Sequence, residues 1–154
     1  MSQEEAQPEI NLEDLKTKAS LLPEQLIAFR NNPQWSFSKE ITTDKKCSVF
    51  NLESGAEGER LASKGVVEDV EGTPSEVYNL LHHPGTLERL HPNASEIKIF
   101  KEITPSCYLS YCRFPGMGPV ADRDMVLLHQ WTISQDESRY VHASASVDYP
   151  YPSP

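Results

Sequence analysis

Apolar positions in residues 11–32 recur at helical spacing: Leu12, Leu15, Ala19 and Leu22, then Leu26 and Ile27. A stripe at three- and four-residue intervals predicts an amphipathic helix. Pro23 has no N–H to donate to the preceding turn, so it is expected to break or restart this helix. Asn31-Asn32-Pro33 is its stop. The period then shortens. Residues 35–41 and 47–52 read as strands around a Thr-Thr-Asp-Lys-Lys turn. Past a looser turn at 53–59 with Gly55 and Gly58, residues 60–70 carry Leu61, Val66, Val67 and Val70. Together these three predict an antiparallel meander.

The next signal is a helix start. In Thr73-Pro74-Ser75-Glu76, Thr73 is placed to cap, Glu76 to reach back, and Pro74 sits where a missing N–H costs nothing. Val77, Leu80 and Leu81 give this helix one apolar stripe, and Pro84 stops it. A short second helix is expected over 86–90, before His91-Pro92. The remainder reads as strand. Ile97, Ile99 and Ile103 alternate with Glu96, Lys98 and Glu102; residues 107–114 are rich in aromatics; 125–133 is longer and more apolar; 139–147 alternates small and larger residues. Helix, three strands, two helices and four strands make an α+β plan, with helices packed on an antiparallel sheet.

Composition narrows the function. The 154 residues fit one domain, with residues 1–10 a disordered acidic lead-in and 11–154 the folded part. A net charge of −9 disfavours nucleic acid and strong docking on anionic membranes, leaving brief contact with a neutral bilayer. The apolar runs are too short to span a bilayer, and the acidic start is unlike an export signal. Cys47, Cys107 and Cys112 read as free thiols of a cytoplasmic chain. Asn93-Ala94-Ser95 matches a glycosylation sequon, idle without export.

An ordered set of pieces resembles the START (steroidogenic acute regulatory protein-related lipid transfer) family. The pieces are Trp35 opening the first strand, Lys64-Gly65-Val66-Val67 before the capped helix, and Ser95-Glu96-Ile97-Lys98-Ile99 with Lys101-Glu102-Ile103. They continue with residues 108–115 followed by Arg123-Asp124 and an apolar strand, and end in Ser146-Val147-Asp148 with prolines behind. The resemblance implies an α+β helix-grip (START/Bet v 1-like) fold, a curved antiparallel sheet packed on helices. In the family further strands, a long loop and a C-terminal lid helix follow this point. The chain stops at Tyr149-Pro150-Tyr151-Pro152-Ser153-Pro154, so it is expected to be incomplete at the C-terminus. An exposed sheet edge then invites a homodimer.

The resemblance implies non-catalytic binding of one hydrophobic lipid (phospholipid, ceramide or sterol) in an internal cavity, and its transfer between membranes through transient contact. His129 falls where some relatives place an inward basic residue, and Cys112 or its neighbour Arg113 near a family acidic position. Strand alternation puts Met125, Leu127, His129 and Trp131 on one face, and Tyr108, Ser110 and Cys112 on the face of another strand. These eight are the expected ligand-binding residues. For His129 the plain alternative is a surface or satisfied core histidine, for Cys112 core packing. Arg123 and Asp124 are expected to be structural, in an ion pair and turn network with Asp122. The loop Pro115-Gly116-Met117-Gly118-Pro119 reads as a surface turn.

No cofactor, metal or catalytic residue is expected. His82, His83 and His91 cluster without the spacing of a closed zinc site and suit helix-end capping. Neither a Gly-x-Ser-x-Gly elbow nor a Gly-rich phosphate loop is present. Two other readings stand beside the lipid carrier. One is an enzyme on the same fold, of thioesterase or cyclase type, with His129 as its polar group. The other is a truncated interaction or dimerisation module.

Overall fold

A computed structural model of the chain describes residues 11–53, 60–83, 86 and 89–151. The acidic lead-in, the glycine turn at 54–59, Pro84 and the prolines at 152 and 154 lie outside the described residues. The elements are α1 (Leu12–Arg30), β1 (Ser36–Thr42), β2 (Lys46–Glu53), β3 (Arg60–Val67), α2 (Pro74–His82), β4 (Glu96–Thr104), β5 (Cys107–Phe114), β6 (Arg123–Ile133) and β7 (Tyr140–Ser146). Their order is the one the pattern predicts. Of the second short helix, Thr86, Arg89 and Leu90 are helical, and 87–88 lie outside the described residues.

The strands form two antiparallel sheets, β1-β2-β3 and β4-β5-β6-β7. Two compact units result: residues 25–73, and residues up to 24 with 74 onward.

In the second of these, one face of β4–β7 carries the core. Cys107, Leu109, Tyr111, Val126, Leu128 and Ala143 cluster there with Leu15, Ala19 and Leu22 of α1. The helical residues are four and three apart, so they share one side of α1. Leu109 and Leu128 are both 0% exposed, and each such side chain contributes about 1.5–3 kcal/mol by leaving water. Tyr149 and Tyr151 pack on the same core, with Tyr151 stacked on Tyr111 at 3.9 Å and edge-on to Phe100 at 5.0 Å.

The break expected at Pro23 does not occur, and α1 runs through it. Leu22 and Pro23 are both buried. Their burial holds the flanking turns in place, so the proline costs a hydrogen bond rather than the helix. The α2 stripe also differs from the reading. Leu80 is 63% exposed, whereas Val77 and Leu81 are half-buried; the ring contacts to the sheet come from Tyr78 and His82.

The unit of residues 25–73 is a meander whose first strand is exposed at every position. Ser63 Oγ donates to the buried Asn51 Oδ1 at 3.2 Å. The Trp35 indole donates to the Phe29 carbonyl at 2.9 Å, its ring edge-on to Phe29 at 5.3 Å. The Lys64 ammonium lies 4.9 Å from the Trp35 and Phe50 ring centres. Ser63, Lys64 and Trp35 line part of a groove of about 510 Å³ along β3, with Leu26, Phe29 and Val67. No helix among the described residues is long and apolar enough to cross a membrane.

Candidate functional site

The second face of β4–β7 follows from the same alternation that builds the core. Pairing sets Ile97 beside Cys112 and Cys112 beside Met125. The next row is Ile99, Ser110, Leu127 and Ser146, then Glu102, Tyr108, His129 and Ser144, then Trp131 with His142 and Ile133 with Tyr140. Seven of the eight sequence-predicted residues therefore share one face: Tyr108, Ser110, Cys112, Met125, Leu127, His129 and Trp131. Arg113 is on the other face, where it pairs with Asp122 at 2.9 Å.

The face has an apolar end and a polar end. Ile99 and Met125 are 46% and 37% exposed, with Ile97 and Leu127 half-buried. Next to them runs a buried hydrogen-bonded chain. Ser110 Oγ lies 2.8 Å from His129 Nε2, and His129 Nδ1 lies 2.8 Å from His142 Nε2. Ser110 and His129 are 3% and 8% exposed, whereas His142, on the last strand, is more than a third exposed.

Aromatic rings enclose this chain. Tyr108 stacks on His129 at 4.5 Å and Trp131 on His142 at 4.1 Å, while His82 of α2 meets Trp131 at a tilt, with ring centres 3.9 Å apart. Tyr78 meets Trp131 edge-on at 4.7 Å and Tyr140 at 4.9 Å. Burial, then the neighbouring His142, pushes His129 down to about 3. Loss of water around its ring, then His82, pushes His142 down to about 4; its edge remains solvated, so the shift reflects its covered ring faces. Both imidazoles are neutral at neutral pH. Burial raises the thiol of Cys112 and the phenol of Tyr108. The buried Trp131 Nε1 makes no hydrogen bond of good geometry among the described residues, although the Tyr108 hydroxyl is close enough to feel it.

The network expected around Arg123 forms one strand over. Asp122 accepts from Arg113 and, at 2.8 Å, from the Gly116 N–H, and these bonds hold its carboxyl below the usual range, the Gly116 bond foremost. The loop needs glycine at 116, since an added Cβ would lie 2.0 Å from the Val120 carbonyl oxygen. Asp124 accepts from the Tyr111 hydroxyl at 3.3 Å. Arg123 is exposed at the start of β6, beside Phe114. Met117 in this loop is 80% exposed. The described residues hold no cluster of three or more metal-ligating side chains, and the three cysteines are free thiols.

His142, Tyr78, Tyr140 and Ser144 were not singled out by the sequence reading. The signal for His142 was the β6–β7 hairpin, whose register sets it opposite Trp131.

No protein-family model and no curated protein matches the sequence. Solved structures do match. Human StAR-related lipid transfer protein 5 superposes with a TM-score of 0.72 at 20% identity, covering 94% of this chain and 68% of that one. A STAR-related lipid transfer protein fragment from Xanthomonas axonopodis gives 0.58 at 18% identity, covering 74% and 60%. The human StarD13 (DLC2) lipid transfer and protein localization domain gives 0.56 at 19%, covering 82% and 64%. The chain has the α+β helix-grip fold of START domains and spans about two-thirds of the length of these structures.

Proposed function

From a START fold we infer that the chain is a lipid-binding module, one that holds a single lipid against the second face of β4–β7 without changing it. The carrying observation is the composition of that face: exposed apolar residues Ile99 and Met125 beside a buried polar chain. Apolar surface removed from water supplies affinity at about 25 cal/mol per Å², and a few fixed polar groups orient the ligand. Tyr108, Ser110, Cys112, Met125, Leu127, His129 and Trp131 are the proposed contact residues; Arg113 and Asp122 instead support the adjoining loop. The lipid is delivered through transient contact with a bilayer, in the cytoplasm, and free strand edges allow a second copy to pair.

Native mass spectrometry of the purified chain, followed by lipid extraction, tests this reading. One lipid per chain is the expected result. A chain that stays empty after incubation with mixed-lipid vesicles overturns it.

A second reading has its own observation. Ser110, His129 and His142 have the connectivity of a nucleophile, a base and an orienting group, as in an ester or thioester hydrolase. Two features weigh against it. A base pushed down to about 3 takes a serine proton poorly, and Ser110 is 3% exposed. Turnover of a short-chain aryl ester that vanishes in His129→Ala would favour the hydrolase.

A further inference from the structure

We propose that the lipid is an uncharged one bearing a hydroxyl, and that it anchors this hydroxyl on His142, the open end of the Ser110–His129–His142 chain. The proposal rests on the lipid-carrier reading and narrows it.

The chain of hydrogen bonds has two senses. If Ser110 donates to His129 Nε2, then His129 Nδ1 donates to His142 Nε2, and the His142 proton sits on Nδ1 as an outward donor. If the sense reverses, His142 Nε2 donates to His129 Nδ1, His129 Nε2 donates to Ser110, and His142 Nδ1 is left as an acceptor. His142 Nδ1 has no hydrogen-bond partner among the described residues. A ligand hydroxyl both donates and accepts, so it satisfies either sense. A phosphate or an ester carbonyl only accepts, so it satisfies the first sense alone, and a quaternary ammonium satisfies neither.

Charge points the same way. In the register rows of this face only two described residues are charged, and both are marginal and exposed. Glu102 lies on the edge strand opposite Tyr108, and Arg123 opens β6. Arg123 is six residues from His129, about 20 Å at the rise of a strand. The polar end itself has Ser144 and Ser146 exposed beside His129 and Leu127, with neutral imidazoles and no cation. A phosphate there would lose its hydration without a counter-charge. The apolar body of the ligand has Ile97, Ile99, Met125 and Leu127 to lie on.

The test incubates the full chain with phosphatidylcholine vesicles carrying cholesterol and dioleoylglycerol as minor components. The protein is re-isolated and its lipids are extracted and quantified. The expected result is cholesterol or dioleoylglycerol near one per chain, with little phosphatidylcholine. 5-Cholestene, which has lost the hydroxyl as both donor and acceptor, should be retained about tenfold less than cholesterol, the worth of one hydrogen bond. His142→Ala should lose about the same factor and His142→Gln should recover part of it. Phosphatidylcholine retained in preference, and released by Arg123→Gln, would overturn the proposal while leaving the carrier intact. Equal retention of 5-cholestene, or no effect of His142→Ala, would remove the anchor. Absence of any lipid would instead overturn the carrier reading itself.

Discussion

His129 makes the polar chain sensitive to acid. Its folded-state value of about 3 lies below the ordinary 6.5, so between these values the unfolded chain binds a proton that the folded chain refuses. Stability is full above about pH 6.5 and falls as the pH drops toward 3. His142, pushed down to about 4, acts in the same direction. Asp136, held near 2 by its Ser134 and Ser138 hydrogen bonds, keeps its stabilisation through this window and loses it only below the ordinary carboxylate range. Urea midpoints should therefore decline between pH 7 and pH 5, and His129→Gln should flatten that decline. An unchanged slope in the variant would mean that other groups carry it. The sequence made this residue visible through strand alternation and the family resemblance. It did not reveal that Ser110 and His142 complete the chain, because their contact depends on the registers of two hairpins. Nor did it separate Arg113 from Cys112, which the β5 pleat sends to opposite faces.

At the scale of elements, burial decides cost. Leu128 is 0% exposed on β6, and Leu128→Ala should destabilise the chain by about 3 kcal/mol through lost transfer energy and a residual cavity. Leu80, 63% exposed on α2, should cost under about 0.5 kcal/mol on the same change. Denaturant unfolding of the two variants checks both. Element order was legible because each period persisted long enough to read, and β5 was expected at the bounds it has. Pro23 misled because propensity is local, whereas burial of Leu22 and Pro23 is tertiary. The division into two sheets was not legible, since strand patterns do not state which strands pair.

For the whole molecule the net charge of −9 dominates encounters with surfaces. Flotation with phosphatidylserine vesicles should recover no more protein than flotation with phosphatidylcholine vesicles, since an anionic bilayer repels an acidic chain. Greater recovery on the anionic vesicles would reveal a local basic contact, for which Arg30 and Lys64 beside the β3 groove are the first residues to substitute.

The chain has two tryptophans, and they stand in different units and unlike surroundings. Trp35 touches Phe29 and sits under a lysine ammonium, whereas Trp131 is stacked on one imidazole and tilted against a second. Protonated imidazole quenches indole emission and neutral imidazole does so less. The fluorescence of a Trp35→Phe variant therefore reports the ionisation of the polar end alone, and that of Trp131→Phe reports the meander alone. Each half of the molecule has its own built-in optical probe, readable without any label.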